Sequence, residues 1–250
     1  MKITILQQDI VWEDPAENLR MADAAIDSEP GSDLYVLPEM FSTGFCTVPE
    51  GVAEPVDGPA VSWMKEKAAA VDAAIAGSVA VTENGKYYNR FYFVCPDGTV
   101  SHYDKKHLFT YGGEHHHFTP GEERVVVTYG GVRIMLEVCY DLRFPIWSRN
   151  RGEYDMVLYV ASWPSVRIGA WKSLLVARAI ENQCYVAGIN RVGTDPSNEY
   201  CGGSMIIDPY GKVVASCEDG AAMSASAVVD MEALEAFRAK FPVLNDSDVL

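Results

Sequence analysis

The sequence is poor in positive charge, and this deficit limits the partners that it can bind. Twenty Lys and Arg residues stand against 35 Asp and Glu residues, so the formal net charge is -15 at pH 7. Such a surface repels phosphate backbones and anionic lipids, and no local cluster of basic residues offsets it. We therefore expect neither nucleic acid nor a membrane surface among its partners.

The chain also lacks the patterns that mark membrane and secreted proteins. No window approaches the roughly 18 unbroken apolar residues of a membrane span. Residues 1–9 have the pattern of a strand, and no signal-peptide core follows them. The six cysteines are scattered and include no CxxC pair, the pattern that often marks a zinc or redox site. These absences predict a cytoplasmic protein with free thiols.

No linker, repeat or block of like charge divides the chain, and its 20 glycines and 13 prolines show no period. Hydrophobic residues make up 48% of the sequence, so disorder is excluded. A chain of 250 residues can bury a core large enough to need no disulfide or metal. We expect a single domain over residues 1–250.

Strand-like and helix-like segments alternate, which favours an α/β architecture. Asp14 and Pro15 together predict the start of the first helix, because Asp is a good N-cap and Pro fits the first helical position. The segments 132–138 and 156–160 are continuous apolar runs of the kind found in strands covered on both faces. Further strands are predicted at 3–7, 33–37, 73–81, 87–94, 99–104 and 185–190 and on both sides of a turn at 208–211, with further helices at 61–71, 171–182 and 231–241.

Three reactive side chains stand where apolar segments end: Glu39, Lys105 and Cys139. Ligands of open α/β sheets bind at the carboxyl ends of strands, so these side chains are candidates for one site. Glu39 could take the proton of the Cys139 thiol, and Lys105 could stabilise an oxyanion. If Cys139 opens a strand-to-helix turn, the N–H group of Tyr140 would face the same oxyanion.

Each of these residues also has a structural interpretation. Free cysteine is among the most buried residue types and usually packs as a small hydrophobic side chain. Arg143 follows Cys139 too closely for the phosphatase spacing, and the papain-like Cys-Gly-Ser-Cys-Trp is absent. From the residues alone, a thiol hydrolase is one hypothesis beside a set of structural residues.

Taken together, the motifs resemble those of a known superfamily. Segments 37–41, 103–109 and 136–145 resemble, in that order, the Glu, Lys and Cys motifs of the nitrilase superfamily of carbon–nitrogen hydrolases. Residues 203–211 are similar to its late Gly-x-Ser…Asp-Pro-x-Gly hairpin. The resemblance implies an α-β-β-α sandwich, a homodimer or higher homo-oligomer, and no cofactor or metal. It also implies that Glu39 is the general base, Lys105 the oxyanion-stabilising lysine and Cys139 the nucleophile.

The loop after the lysine motif supplies a second carboxylate in this superfamily. Glu114 matches it by its spacing to Pro120-Gly121, which implies that it orients Lys105; the alternative is a solvated loop carboxylate. Lys106, next to Lys105, would point the opposite way in a strand. The run His115–His117 invites a metal interpretation, but neighbouring side chains rarely converge on one ion. We expect this loop to line the mouth of the pocket.

The residues after Cys139 indicate a branch of the superfamily. The run Cys-Tyr-Asp-Leu-Arg-Phe-Pro at 139–145 departs from the Cys-Trp-Glu of nitrilases and from the pattern of carbamoylases. It is most similar to the amidase branch with ω-amidases that act on 2-oxoglutaramate and 2-oxosuccinamate, so the resemblance implies a small-molecule amide as partner. Other amidases (aliphatic, deaminated-glutathione or N-carbamoyl) and a catalytically silent binding protein on the same scaffold are alternatives.

A small amide with a distal carboxylate needs a cationic anchor. Arg143 is the candidate, because a guanidinium binds a carboxylate through two parallel hydrogen bonds. The alternative for Arg143 is a structural salt bridge with Asp141 or a helix C-terminus. The walls of the pocket are expected to come from five aromatic residues: Phe41, Phe45, Phe118, Trp147 and Trp163.

Overall fold

Two β-sheets pack face to face, and helices cover the outer face of each. The computed structural model describes residues 1–246, so part of the acidic tail, residues 247–250, lies outside the described residues. The strands are β1 Lys2–Gln7, β2 Leu34–Val36, β3 Glu54–Pro55, β4 Ala74–Glu83, β5 Lys86–Val94, β6 Val100–Asp104, β7 Val126–Tyr129, β8 Val132–Val138, β9 Met156–Ala161, β10 Tyr185–Asn190, β11 Val192–Thr194, β12 Glu199–Cys201, β13 Met205–Ile207, β14 Val213–Ser216 and β15 Met223–Val228.

The first sheet has the order β15-β1-β2-β4-β5-β6, with β3 beside β4. The second has the order β14-β13-β10-β9-β8-β7, and β11 and β12 form a separate pair. Each sheet has a parallel centre, β1-β2-β4 in the first and β8-β9-β10 in the second. Parallel strands end at the same edge of a sheet, so the segments that follow β8 and β9 leave it side by side.

Four α-helices are present within residues 1–246: α1 Pro15–Asp27, α2 Pro59–Val71, α3 Ile168–Asn182 and α4 Met231–Lys240. The predicted start of α1 is confirmed, since the side chain of Asp14 accepts a hydrogen bond from the N–H of Glu17 at 3.1 Å and Pro15 opens the helix. None of the helices in this part of the chain is both long enough and apolar enough to cross a membrane.

The main core lies between the sheets, where alternate residues such as Ile5, Phe91, Leu136 and Leu158 meet. Ala22 and Ile26 of α1, with residues of α2, cover the outer face of the first sheet. Trp171, Leu175 and Ala179 of α3 cover the outer face of the second sheet. The result is the α-β-β-α sandwich that the resemblance implies.

Glu137 is an unusual residue of this core. It lies in β8 between residues that face the first sheet, so its side chain points toward α3 and is fully buried. One oxygen accepts a hydrogen bond from Ser148 at 3.3 Å, and the other has no partner among residues 1–246. Burial raises the pKa of Glu137 well above its usual value, and Asp141 raises it further. The hydrogen bond from Ser148 and two nearby arginines oppose these effects.

We expect Glu137→Gln to stabilise the protein near pH 8. The pKa of Glu137 is higher in the folded chain than its usual value of about 4.5 in the unfolded chain, so the folded chain holds this proton more tightly and the wild-type free energy of unfolding falls as the pH rises above that value. Each unit of pKa difference corresponds to about 1.4 kcal/mol. Urea unfolding at pH 5 and pH 8 measures the effect, with Glu123→Gln on the exposed surface as the control. An unchanged difference between the two pH values in Glu137→Gln would contradict this account.

Candidate active site

Glu39, Lys105 and Cys139 meet at one end of the sandwich. Glu39 follows β2, Lys105 follows β6, and Cys139 follows β8. The Lys105 ammonium donates a hydrogen bond to Glu39 Oε1 at 2.9 Å, and both side chains are fully buried. Cys139 lies close enough to Glu39 for the charge of this carboxylate to raise the pKa of the thiol. The structure thus brings together three residues that are separated by 34 to 100 positions in the sequence.

The strand-to-helix turn expected at Cys139 is present as a 3₁₀ turn over Cys139–Arg143. Cys139 itself has φ 44°, a left-handed conformation that L-residues rarely adopt. Asp141 fixes this turn, because its Oδ2 accepts hydrogen bonds from the N–H of Val138 at 3.0 Å and from the hydroxyl of Tyr103 at 2.8 Å. Its Oδ1 accepts the N–H of His107 at 2.9 Å. Asp141 therefore ties the cysteine turn to the segment that carries Lys105.

Glu114 is the second carboxylate of the site. Its two oxygens lie 3.1 and 2.9 Å from the Nζ of Lys105, and the residue is fully buried. The alternative of a solvated loop carboxylate is wrong. Glu114 also accepts a hydrogen bond from the N–H of Phe109, which holds the loop against the site.

Asn89 joins this cluster, although it stands in none of the sequence motifs. Its side-chain N–H groups donate to Glu39 Oε1 at 2.8 Å and to Glu114 Oε1 at 3.2 Å, and its backbone oxygen accepts the N–H of Lys105 at 3.0 Å. The amide therefore orients both carboxylates. The one indication in the sequence is an uncharged amide among the many aromatic residues of strand β5.

Burial controls the protonation of the cluster. Burial alone would lower the pKa of Lys105, but Glu114 and Glu39 outweigh it and raise the pKa above its usual value. Burial raises the pKa of Glu114, and the positive charge of Lys105 partly offsets this rise. Burial and then Glu39 raise the pKa of the Cys139 thiol well above its usual value, against the effect of Lys105. The resting cysteine is therefore a neutral thiol, and a base must remove its proton when it attacks.

The thiol faces a cavity of about 40 Å³, whose lining includes Phe45, Tyr140, Arg143 and Trp163. Three of the residues expected to contact substrate, Tyr140, Arg143 and Trp163, therefore do lie at the site. The guanidinium carbon of Arg143 lies 4.9 Å from the centre of the Trp163 ring. No carboxylate within residues 1–246 forms an ion pair with Arg143, so the expected alternative of a salt bridge with Asp141 is wrong.

The prediction that Phe118 contacts substrate is also wrong. Phe118 packs away from the cavity in a small core with Met40, Ala80 and Leu108. The reason is local, because its backbone pairs with Tyr87 and its ring turns inward behind the loop.

Two of the other expected wall residues also lie outside the cavity. Phe41 packs under the helices, 5.8 Å from the ring of Trp63, and the indole N–H of Trp147 donates to Tyr103 at 3.1 Å. Phe45 and Trp163 do line the cavity.

The histidine loop is exposed and lies outside this lining. His117 pairs with Glu50, and the rings of His115 and His116 lie 3.9 Å apart. An outer cavity next to the site is lined by Tyr111 and Gly112 of the same loop and not by the histidines. The loop thus lies at the mouth of the pocket as expected, but its three histidines do not line it. In the part of the chain that the structure describes, no group of three His, Cys, Asp or Glu residues could hold a metal ion.

Lys106, the neighbour of Lys105, contacts a different group: its ammonium lies 5.4 Å from the centre of the Trp147 ring.

The sequence from residue 2 to residue 239 matches the family model for carbon–nitrogen hydrolases. The chain belongs to this family. It is 48% identical to the omega-amidase YafV of Yersinia enterocolitica over 99% of this chain and 97% of that protein. It is 39% identical to the 2-oxoglutaramate amidase of Bacillus subtilis over 98% of this chain and 96% of that protein.

The solved structures agree with this assignment. A CN-hydrolase superfamily protein from Xanthomonas campestris, with an arsenic adduct in its active site, has a TM-score of 0.97 and 41% identity to this chain. The match covers 100% of this chain and 98% of that one. The predicted family and sandwich fold are confirmed. This hydrolase is an amidase, and the alternative of a catalytically silent binding protein is set aside.

Proposed function

We propose that this amidase hydrolyses the terminal amide of a small carboxylated substrate of the 2-oxoglutaramate or 2-oxosuccinamate type. The products are the acid and ammonia, and the reaction passes through a thioester on Cys139. The observation that carries the proposal is the meeting of Glu39, Lys105 and Cys139 beside a cavity that holds an arginine without an ion-pair partner in residues 1–246. The names of the bacterial relatives support the substrate class.

The first half of the cycle forms the thioester. Glu39 takes the thiol proton as the sulfur of Cys139 attacks the amide carbonyl. The ammonium of Lys105 has three protons; one directed to Glu39 and one to Glu114 leave a third for the oxyanion. The N–H of Tyr140 stands in the first turn of the 3₁₀ segment, where such groups have no intrahelical acceptor, and supplies the second donor.

The second half releases the product. The tetrahedral intermediate collapses, and ammonia leaves with the proton held by Glu39. Glu39 then deprotonates a water molecule that attacks the thioester, and the thiol is restored. Each covalent half has a lower barrier than direct hydrolysis, and the cycle needs no cofactor. Glu114 and Asn89 act as positioning residues, because they contact Lys105 and Glu39 and not the reacting atoms.

The carboxylate of the substrate binds Arg143 in this proposal. The guanidinium is held against Trp163, which fixes its plane, and carboxylates fit its paired N–H groups. The single domain and the cytoplasmic location, which are expected from the sequence, belong to the same proposal. So does a homodimer or higher homo-oligomer, which the family resemblance implies. Light scattering on the purified protein tests the oligomer.

A panel of amides tests the proposed substrate class. We expect 2-oxoglutaramate to exceed a neutral aliphatic amide of equal length by about 10- to 100-fold in kcat/KM, the value of one charge-assisted hydrogen-bonded pair. The panel also includes an N-carbamoyl amino acid and deaminated glutathione; ammonia release is the measurement for all of them except deaminated glutathione, whose leaving group is cysteinylglycine and is measured as free dipeptide. Equal or better activity on the neutral amide would overturn the proposed substrate class.

A further inference from the structure

A second arginine lines the same cavity as Cys139. Arg167 ends a short 3₁₀ turn, Ser165–Arg167, immediately before α3. Its guanidinium carbon lies 5.4 Å from the centre of the Phe109 ring, and the indole of Trp163 donates a hydrogen bond to its backbone oxygen at 2.9 Å. Trp163 therefore contacts both the guanidinium of Arg143 and the backbone of Arg167.

Neither arginine has an ion-pair partner within residues 1–246, which is unusual in a chain with a net charge of -15. Most other half-buried or buried arginines are paired, such as Arg90 with Asp104 at 2.7 Å and Arg238 with Asp155 at 2.7 Å. Two guanidinium groups in the lining of one small cavity make its potential positive, which attracts an anion. The cavity is therefore built for a negatively charged group.

Arg167 stands where this cavity meets a larger one. The outer cavity has a volume of about 480 Å³ and shares Phe45, Phe109, Arg167 and Asn198 with the inner one. Its lining includes Glu13 and Asp195, so its own charge disfavours a carboxylate. The carboxylate of a substrate is thus stabilised in the inner cavity, as far as Arg167, and is destabilised in the outer cavity.

We propose that Arg167 is a specificity-determining residue that, with Arg143, clamps the distal carboxylate of the substrate at the outer end of the inner cavity. The clamp selects short amides with a carboxylate and excludes longer ones, whose carboxylate would extend into the acidic outer cavity. This inference rests on the proposed function, since it takes the inner cavity as the acyl site.

The test compares Arg167→Met with wild type on three amides. For 2-oxoglutaramate we expect KM to rise by about 10- to 100-fold while kcat changes by less than about threefold, since the lost contact is with the charged end and not with the reacting carbonyl. For valeramide, the neutral five-carbon amide, we expect no loss. The monoamide of a seven-carbon dicarboxylic acid should gain relative to 2-oxoglutaramate. Arg167→Lys keeps the charge but not the planar fork, so its KM should rise less.

Arg151→Met is the matched control, because Arg151 is exposed and lies outside the lining of both cavities. An unchanged KM for 2-oxoglutaramate in Arg167→Met would overturn the inference, as would equal losses on the charged and neutral amides. If Arg167→Met does not fold, as judged by thermal melting, the KM of Arg167→Lys decides in the same way. A wild-type enzyme without preference for carboxylated amides would instead overturn the proposed function itself.

Discussion

Cys139→Ala is expected to abolish ammonia release and to leave the fold intact. Loss of a covalent nucleophile in a hydrolase lowers kcat by roughly 10⁶-fold. The thiol faces a cavity, so its removal takes little from the packed core, and we expect the free energy of unfolding to change by about 1 kcal/mol or less. Ammonia release from 2-oxoglutaramate and urea unfolding measure the two effects.

Cys95→Ala is the control for this variant, because Cys95 is also a free and partly exposed cysteine but packs at the far edge of the core. It should keep nearly wild-type turnover. Retained turnover in Cys139→Ala would rule out the assigned nucleophile.

Glu39→Gln is expected to lower kcat by about 10²- to 10⁴-fold, the usual contribution of a general base. The amide of Gln has the shape of the carboxylate and can still accept the hydrogen bonds of Asn89 and Lys105, so KM should change little. Steady-state kinetics measure both constants. A kcat within threefold of wild type would contradict the role of Glu39.

Glu39→Gln should lower turnover but make the Cys139 thiol easier to ionise. Because the charge of Glu39 raises the pKa of Cys139, its removal should lower that pKa. The pH profile of Cys139 alkylation by iodoacetamide should therefore shift to lower pH in Glu39→Gln while turnover falls. Glu123→Gln, on the exposed surface, should leave both properties unchanged. A profile that stays in place or moves to higher pH would contradict the electrostatic account.

The parts of the fold that the sequence predicts are those with local patterns. The strands β8, β9 and β10 are continuous apolar runs, and α1 begins at a cap that is visible in the sequence. Strand β15 was not predicted, because its sequence Met-Ser-Ala-Ser-Ala-Val has weak strand propensity. It is a strand because β1, more than 200 residues earlier, offers an edge to pair with.

The residues of the candidate site also include some that the sequence predicts and one that it does not. Glu39, Lys105, Cys139 and Glu114 stand in motifs that a single sequence displays, and the structure brings them together. Asn89, by contrast, resembles any polar residue in a strand until its contacts with two distant carboxylates are known.

The incorrect prediction for Phe118 and the absence of any prediction for Arg167 have a related cause. Phe118 follows the expected loop but turns to the other side of it, and Arg167 stands in a polar turn that has no motif. Sequence position near a motif does not fix the direction of a side chain.

Peptide mass spectrometry of the enzyme, quenched with acid during turnover of 2-oxoglutaramate, tests the central claim most directly. The account predicts a peptide that contains Cys139 and carries the mass of the product acid less one water, absent from Cys139→Ala. An acyl group on any other residue would contradict it.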